Sequence, residues 1–453
     1  MKPTLLASIL VATFALAGCA TPTVPPLLDD DTAVFAKDAD SQIAADEQWW
    51  RAANDPTLNA LVEKALANNR SLKAVAARMD AVRAIEAAAP FAIGPSSGLS
   101  GSLSHTTTRT GDIRTTSRSE GQAFSVQWEL PLFGKGQAQL ASAQAQLRQA
   151  QWQGEASRVS LTASVVRSYA QLKANVDKVD AAQKSLAALK EIAEIRQNAV
   201  NAGLAPASDA ENSRAQVLAM ESQIASLQAV RVQLKNTLAV LCGTTKLKML
   251  DDVTADFSAV PALQKVDPSL LRKRPDVLAA EESVAIAAAQ AGIDRASLWP
   301  QLSLGTSVSL TPGDGAPRTL SSVGSVGLSI PLLNWFTLKA QADSSVQKMK
   351  ASVDDYRQTV LTAWEEAQAA YADGLAAEKR AKNASEQLAT LTTQAERAAL
   401  LEKEGISSRI DRLNAEVSRN SQDGTTADEK SQLMQAWARL QKASFAKLTV
   451  ASK

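Results

Sequence analysis

The chain carries the same landmarks twice, about 200 residues apart, and this internal repeat constrains its fold more than any other feature. Leu130-Pro131-Leu132-Phe133 corresponds to Ile330-Pro331-Leu332-Leu333, and a long stretch rich in Ala and Gln follows each of them. Further on, Gly203-Leu204 corresponds to Gly405-Ile406. Because the two landmarks keep nearly the same spacing, we predict two structurally equivalent halves.

Each half contains two segments in which apolar and polar residues alternate, which is the pattern of β-strands. We predict two strands within about 98–130, over Gly98–Arg109 and Glu120–Leu130, and two more within about 301–331. Strands of about ten residues have the length needed to cross a membrane at a tilt. A soluble sheet packed on helices shows the same alternation, so the strands alone leave both interpretations open.

The alternation also predicts which strand face meets lipid. Val126 and Leu328 lie on the apolar face, and Ser125 and Ser329 lie on the opposite, polar face. In a membrane the apolar face is expected to meet lipid and the polar face a water-filled lumen. Four strands cannot close a barrel, and an open edge in lipid leaves backbone groups unpaired, so the membrane interpretation requires several chains to contribute strands.

Helices are predicted before and after each pair of strands. Residues 56–89 form the first, and the stretch from Gly134 to Ala202 contains no proline and only Gly136 and Gly154 as internal glycines. Gly203 and Gly405 are placed as helix C-caps, after which helices are expected to return over 209–241 and 410–446. Each half is therefore predicted to contain a helical hairpin with its tip near 203–209 or 405–411. A coiled coil without a lumen is the alternative.

The first residues predict export and a lipid anchor. Lys2, a short apolar run and Leu16-Ala17-Gly18-Cys19 have the form of a signal peptide ending in a lipobox. We expect cleavage after residue 18 and a lipid on Cys19; a plain secretory signal is the alternative. The predicted organisation is a signal peptide over 1–18, an extended strap over 19–55, and repeats over 56–250 and 251–453.

Composition and motifs argue against other classes of protein. Lys+Arg number 48 and Asp+Glu 47, so nothing in the charge predicts nucleic-acid binding. The single histidine, His105, has no second histidine with which to hold a metal, and Cys242 has no disulfide partner once Cys19 carries lipid. We find no phosphate-binding loop and no nucleophile paired with a base, and we expect neither enzymatic activity nor a cofactor.

A further segment resembles a known family. Leu270-Leu271-Arg272-Lys273-Arg274-Pro275-Asp276-Val277, with Glu281 behind it, is similar to the signature of TolC-like outer-membrane factors, in particular the NodT-type lipoprotein branch that serves RND-type efflux systems. Trp128-Glu129-Leu130 resembles a second motif of that family, although Pro131 stands where relatives commonly have an acid. Pro275 suits the first position of a helix and Asp276 its first turn, so a structural role is expected for them.

The resemblance implies a fold and a function. The fold class is mainly α-helical with a β-barrel part: a homotrimeric outer-membrane barrel with four strands per chain, continued by a periplasmic α-helical barrel. Partners would be a periplasmic adaptor and an inner-membrane pump of the RND type. Asp411 matches the first aspartate of the family's periplasmic gate, whereas Asn414 stands at the second position. Asp209 is expected to be a helix N-terminal acid.

The leading hypothesis is thus a passive outer-membrane conduit of a tripartite system that exports small molecules. A lipid-tethered coiled-coil scaffold would account for the lipobox and helices but not for the four strands. A conduit for type I protein secretion is the third hypothesis.

Overall fold

The computed structural model describes residues 23–29, 48–251, 253, 260, 263, 265–311 and 318–444. Cys19, the predicted signal peptide and the end of the last predicted helix lie outside the described residues. The helices are α1 (Pro56–Asn68), α2 (Arg70–Ala92), α3 (Lys135–Asn201), α4 (Ala207–Leu241), α5 (Pro275–Ala296), α6 (Trp335–Lys403) and α7 (Arg409–Ser444). The strands are β1 (Ser96–Thr110), β2 (Ile113–Glu129), β3 (Gln301–Thr311) and β4 (Thr319–Ser329).

The chain divides into two compact units, and each draws on both predicted repeats. The first comprises Met1–Asp29, Ala77–Gln153 and Leu278–Thr359; the second comprises Asp30–Ala76, Gly154–Val277 and Val360–Lys453. The division into repeats at residue 250 therefore differs from the division into compact units, and the repeat boundaries stay a prediction.

The first unit contains one antiparallel sheet with the strand order β1-β2-β3-β4. Pairing of β2 with β3 joins the strands of the two halves. A two-residue turn links β1 to β2, and Gly111 there has a φ of +59°, which suits the first position of a type II′ turn. Strand β2 begins at Ile113, seven residues before the predicted start at Glu120. The pattern does not indicate this first part because it is rich in Ser and Thr and lacks an apolar alternation.

Two helices, α1 and α2, cover the predicted helical segment 56–89, with an interruption at Asn69. Asn69 has non-helical dihedral angles, with φ −56° and ψ 127°. Its side-chain oxygen accepts a hydrogen bond from the Leu72 N–H at 2.9 Å, and its amide donates to the Leu241 carbonyl at 2.9 Å. Asn69 thus ends α1, caps α2 and ties both to the end of α4.

A hydrophobic core holds the second unit together where α1 packs between the long helices. Leu58, Leu61 and Ala65 of α1 are fully buried, together with Leu172 of α3 and Leu238 of α4. The Trp49 and Trp437 rings meet edge to face, with centroids 5.1 Å apart. Cys242 is buried in the same core, where burial raises the pKa of its thiol.

In the described part of the chain, no helix combines the length and apolar character needed to cross a membrane.

Candidate functional site

Both long helical hairpins of the second unit turn at a left-handed glycine. Gly203 has a φ of +71° and Gly405 a φ of +73°. In each turn the glycine N–H and the following N–H donate to carbonyls of the preceding helix, Val200 and Ala199 in the first hairpin and Glu402 and Leu401 in the second. This is the Schellman arrangement, in which glycine avoids the steric cost that a side chain would bring. The tips are therefore sharply defined.

Asp411 lies in the first turn of α7, directly after the second tip, and forms a reciprocal cap with Ser408. The Asp411 N–H donates to Ser408 Oγ at 3.1 Å, and the Ser408 N–H donates to Asp411 Oδ2 at 3.1 Å. The Ser408 hydroxyl also donates to Oδ2 at 2.7 Å. Hydrogen bonds from the Ser408 hydroxyl and backbone lower the pKa of Asp411, so its exposed carboxylate is ionised at neutral pH.

Asn414 lies three residues beyond Asp411 and is also exposed. Residues at spacings of three and four lie on one face of a helix, and the exposed positions on this face of α7 are all polar. They are Asp411, Asn414, Ser418, Ser421 and Thr425. The opposite face packs inward through Leu413, which contacts Leu189 and Ile192 of α3. The second hairpin thus presents a narrow stripe of small polar side chains with a carboxylate at its end.

Asp209 occupies the corresponding first turn of α4 in the first hairpin. Pro206 is the N-cap there, and it provides no side-chain hydrogen bond to the helix. The two hairpin tips therefore differ, because the second has a reciprocal side-chain cap and the first does not.

A network of ion pairs surrounds the second tip. Arg412 of α7 contacts Glu402 of α6 and Glu416 of its own helix, and Arg409 contacts Glu191 of α3. These pairs connect α7 to both neighbouring helices beside Asp411. Local sequence spacing indicates just one of these pairs, Arg412 with Glu416 at i and i+4, because the other partners are distant along the chain.

The segment that carries the family-like motif forms a buried charge cluster. Arg274 is 4% exposed, yet its guanidinium pairs with Asp276 at 2.7 Å and with Glu366 of α6 at 2.8 Å. It also donates to the Ala443 carbonyl of α7 at 3.1 Å. Burial opposes the charge on Arg274, but the hydrogen bonds and charges of Asp276 and Glu366 outweigh it and raise the pKa.

The other motif residues surround this cluster or continue along α5. Pro275 is buried at the first position of α5, and Asp276 follows in its first turn. Arg272 is half-buried in the preceding 3₁₀ turn, and Glu281 is half-buried farther along the helix. Arg274 thus joins α5, α6 and α7 within the second unit, which is a structural task. Glu366, 92 residues away in sequence, was not predicted as a partner.

The sheet has two chemically distinct faces, as its register shows. Val126, Leu304 and Leu328 share one face with Leu99, and several of these side chains are strongly exposed: Leu99 to 81% and Leu328 to 64%. The opposite face is lined mainly by Ser, Gly, Thr and Ala. Its positions include Ser100, Ser102, Ser125, Ser303, Ser307, Ser325 and Ser329. A single chain therefore exposes an apolar sheet surface to its surroundings.

Among the described residues, no group of three or more His, Cys, Asp or Glu side chains could hold a metal ion. His105 lies on β1, opposite Arg118 of β2. The arrangement of the described residues provides surfaces and a hairpin tip rather than a constellation of reacting groups.

Solved structures with this fold are outer-membrane channels. The structure of the outer-membrane channel OprN superposes with a TM-score of 0.74 at 26% identity, covering 94% of this chain and 98% of that one. The CmeC outer-membrane channel of Campylobacter jejuni gives a TM-score of 0.78 at 18% identity, covering 94% of each chain, and shows the fold alone. The predicted fold class, mainly α-helical with the four-strand β part of a trimeric outer-membrane channel, is confirmed.

The sequence comparisons agree. The model of the outer membrane efflux protein family matches residues 61–244 and 268–444. The chain is 28% identical over 395 residues to the toluene efflux pump outer membrane protein TtgC of Pseudomonas putida, covering 83% of this chain and 80% of the relative. It is 26% identical over 421 residues to nodulation protein T of Rhizobium leguminosarum bv. trifolii, covering 86% and 85%.

The chain belongs to the outer membrane efflux protein family. It is an outer-membrane channel component of an efflux system, as predicted, and its family is made up of channel proteins. The NodT-type resemblance is also confirmed.

Proposed function

We propose that three copies of the chain form a passive conduit that receives small molecules from an inner-membrane pump of the RND type through a periplasmic adaptor. The observation that carries this proposal is the open four-stranded sheet. Within the described part of the chain its outer strands β1 and β4 each leave one edge unpaired, and its apolar face is exposed. In lipid both features require further strands, because unpaired backbone groups in hydrocarbon are very costly. Three chains would supply twelve strands, enough to close a barrel around the Ser- and Gly-lined face.

An unpartnered stripe on α4 supports the same assembly. The buried face of helix α4 packs within the chain through Ala210, Ser213, Ile224 and Leu238. A second set of small and apolar positions is exposed: Ala215, Leu218, Ser222, Ala225, Ala229 and Val232. The spacings of three and four match a helix-packing seam. We assign this seam to a neighbouring copy of the chain.

The predicted organisation of the chain remains part of this proposal: a signal peptide over 1–18, a strap over 19–55 anchored by lipid on Cys19, and repeats over 56–250 and 251–453. Contacts of Arg357 on α6 support the strap. Its guanidinium donates to the Pro26 carbonyl at 2.9 Å and lies 3.3 Å from the Asp29 carboxylate. The chain itself would perform no chemistry, bind no cofactor or nucleic acid, and depend on the pump for energy.

We assign the periplasmic gate to Asp411 and Asn414. In a trimer, the exposed stripe of α7 would face the axis and place three Asp411 carboxylates close together. The three carboxylates of such a ring repel one another and attract cations, so the ring favours the passage of cations. Gly203, Asp209 and Gly405 would mark the hairpin tips at the same end, without Asp209 lining the pore.

Conductance of the purified trimer in planar bilayers tests both parts of the proposal. We expect ion-permeable openings and a reversal potential in a KCl gradient that shows cation preference. Asp411→Asn should reduce the cation preference, and Asp209→Asn is the matched control because it removes the equivalent acid of the first hairpin. If the purified protein is a monomer, or if neither the unmodified trimer nor its variants ever conduct, the envelope scaffold is favoured. An equal effect of both variants would remove Asp411 from the gate.

A further inference from the structure

The hairpin of β1 and β2 extends well beyond the other two strands. Among the described residues, strand β3 pairs with β2 over Gln122 to Glu129, and residues 113–121 of β2 with their β1 partners form a two-stranded extension. The helices α2 and α3 adjoin the sheet at the opposite end, next to Ser96 and Glu129. With the helices on the periplasmic side, the extension points to the cell exterior; the inference that follows rests on the proposed insertion of this sheet.

The two faces of the extension differ in charge. The face continuous with the polar side of the sheet carries only uncharged side chains, among them Thr108, Thr110, Thr115, Ser117 and Ser119. All basic side chains lie on the face continuous with the apolar, lipid-facing side: His105, Arg109, Arg114 and Arg118. The basic groups therefore lie outside the lumen, beyond the apolar, lipid-facing part of the four-stranded sheet, which we call the apolar band.

The register places like charges opposite one another. Arg109 pairs directly with Arg114 across the two strands, and like charges at directly opposed positions are destabilising. Arg118 is the one arginine of the extension that pairs with a described carboxylate, that of Glu120 at 3.0 Å. Asp112, the other acid of the extension, lies in the turn. Neither Arg109 nor Arg114 has a carboxylate within ion-pair distance among the described residues, so this pair lacks a counter-ion in that part of the chain.

The height of the pair above the band indicates what supplies that counter-ion. Gln122, where the pairing of β2 with β3 ends, is taken as the outer edge of the apolar band. Along β2, Arg118 lies four residues beyond Gln122 and Arg114 eight residues beyond it. At about 3.3 Å per residue and a tilt near 40°, these positions are about 10 Å and about 20 Å above the band. A phospholipid headgroup layer is only about 5–8 Å deep, which is enough to approach Arg118 but not Arg109 and Arg114.

We propose that the basic face of this extension, centred on Arg109 and Arg114, binds phosphate groups of a large, sugar-bearing lipid headgroup in the outer leaflet of the membrane. Each guanidinium can bind a phosphate with two parallel hydrogen bonds, and one phosphate between the two arginines offsets their repulsion. The lumen face of the extension carries no charged side chain, so transported molecules do not meet this basic site.

Native mass spectrometry of the purified trimer tests the proposal. The probes are rough lipopolysaccharide with a phosphorylated inner core, the same lipid after dephosphorylation, and phosphatidylglycerol. We expect the trimer to retain the phosphorylated lipopolysaccharide in preference to the other two. Each arginine near an anionic surface contributes about fivefold in affinity, so Arg109→Gln with Arg114→Gln should weaken retention by about 25-fold.

Thr108→Gln with Thr115→Gln is the matched control, because these neighbours lie on the lumen face of the same hairpin. It should retain the lipid like the unmodified protein. Equal retention by both double variants, or equal retention of phosphatidylglycerol, would overturn the proposal. Displacement by millimolar inorganic phosphate would identify a site for a soluble anion and overturn it as well.

Bilayer conductance of the arginine double variant separates this inference from the proposed function. We expect the variant to conduct as a trimer while losing the lipid. If the double variant fails to assemble, Arg114→Lys keeps the charge but not the bidentate geometry and should lose part of the retention. Full retention by that folded variant would contradict the bidentate contact.

Discussion

Replacing Asp177 by Asn should stabilise the protein at neutral and alkaline pH and remove part of its pH dependence. Asp177 lies on α3 where α7 approaches closely: a Cβ added to Gly424 of α7 would lie 3.6 Å from Lys178 Cγ and 3.8 Å from its Cα. Burial, followed by the charge of Asp423 on α7, raises the pKa of Asp177 to about 6. Asp180 adds to the increase, whereas Lys430 and Lys173 oppose it.

The magnitude follows from the difference between the folded and unfolded pKa. An increase from 3.8 to about 6 corresponds to about 3 kcal/mol at 1.36 kcal/mol per pH unit. Asp177 is only half-buried, so solvent screening reduces this to about 1–2 kcal/mol. Because the folded pKa is raised, the folded state holds the proton more tightly. The stability is fully present below the unfolded pKa near 4 and is lost as the pH rises through 6.

Thermal unfolding of the detergent-solubilised protein at pH 4 and pH 8 measures this effect. Asp177→Asn should match the unmodified protein at pH 4 and unfold about 1–4 °C higher at pH 8. Asp180→Asn is the control, since Asp180 is exposed and pairs with Lys184 at 2.6 Å. A variant at position 177 that gains nothing at pH 8, or an equal gain at position 180, would refute the reasoning.

Three further predictions concern packing and the membrane. Gly243→Ala should destabilise the fold by several kcal/mol, because the new Cβ would lie 2.3 Å from the Asn68 carbonyl oxygen. Gly203→Ala has open space around the new Cβ and should cost about 1 kcal/mol. Similar melting temperatures for the two variants would contradict this prediction. Arg274→Met leaves the Asp276 and Glu366 carboxylates without their buried partner and should lower the free energy of unfolding by about 2–3 kcal/mol, measured by chemical denaturation. An unchanged denaturation midpoint would show that the cluster does not stabilise the fold. Val126→Lys should cost about 2–4 kcal/mol in membrane insertion while Ser125→Lys is tolerated, and equal insertion would show that the strand faces are assigned wrongly.

The sequence predicted those features that depend on near neighbours. Alternating side chains placed Val126 and Ser125 on opposite faces because the strand period is two. The glycines at 203 and 405 marked the helix ends because a left-handed residue there needs no Cβ. These patterns were sufficient for the fold class and for the location of both hairpin tips.

Other features depended on which distant segments meet. Asn69 interrupts a helical pattern because its side chain can cap α2 and reach the Leu241 carbonyl, 172 residues away. The extension of β2 was missed because a Ser- and Thr-rich ribbon has no apolar alternation; its pairing with β1 was not visible locally. Glu366 became a partner of Arg274 only through the packing of α5 against α6.

The sequence by itself therefore determined the kinds of elements, their polar and apolar faces, and the repeat that relates the two halves, because local periodicity and turn chemistry fix all three. Only the tertiary structure decided the charge environment of Arg274 and Asp177 and the opposition of Arg109 to Arg114. Electrostatic interaction depends on distance and burial in space, and neither can be read from separation along the chain.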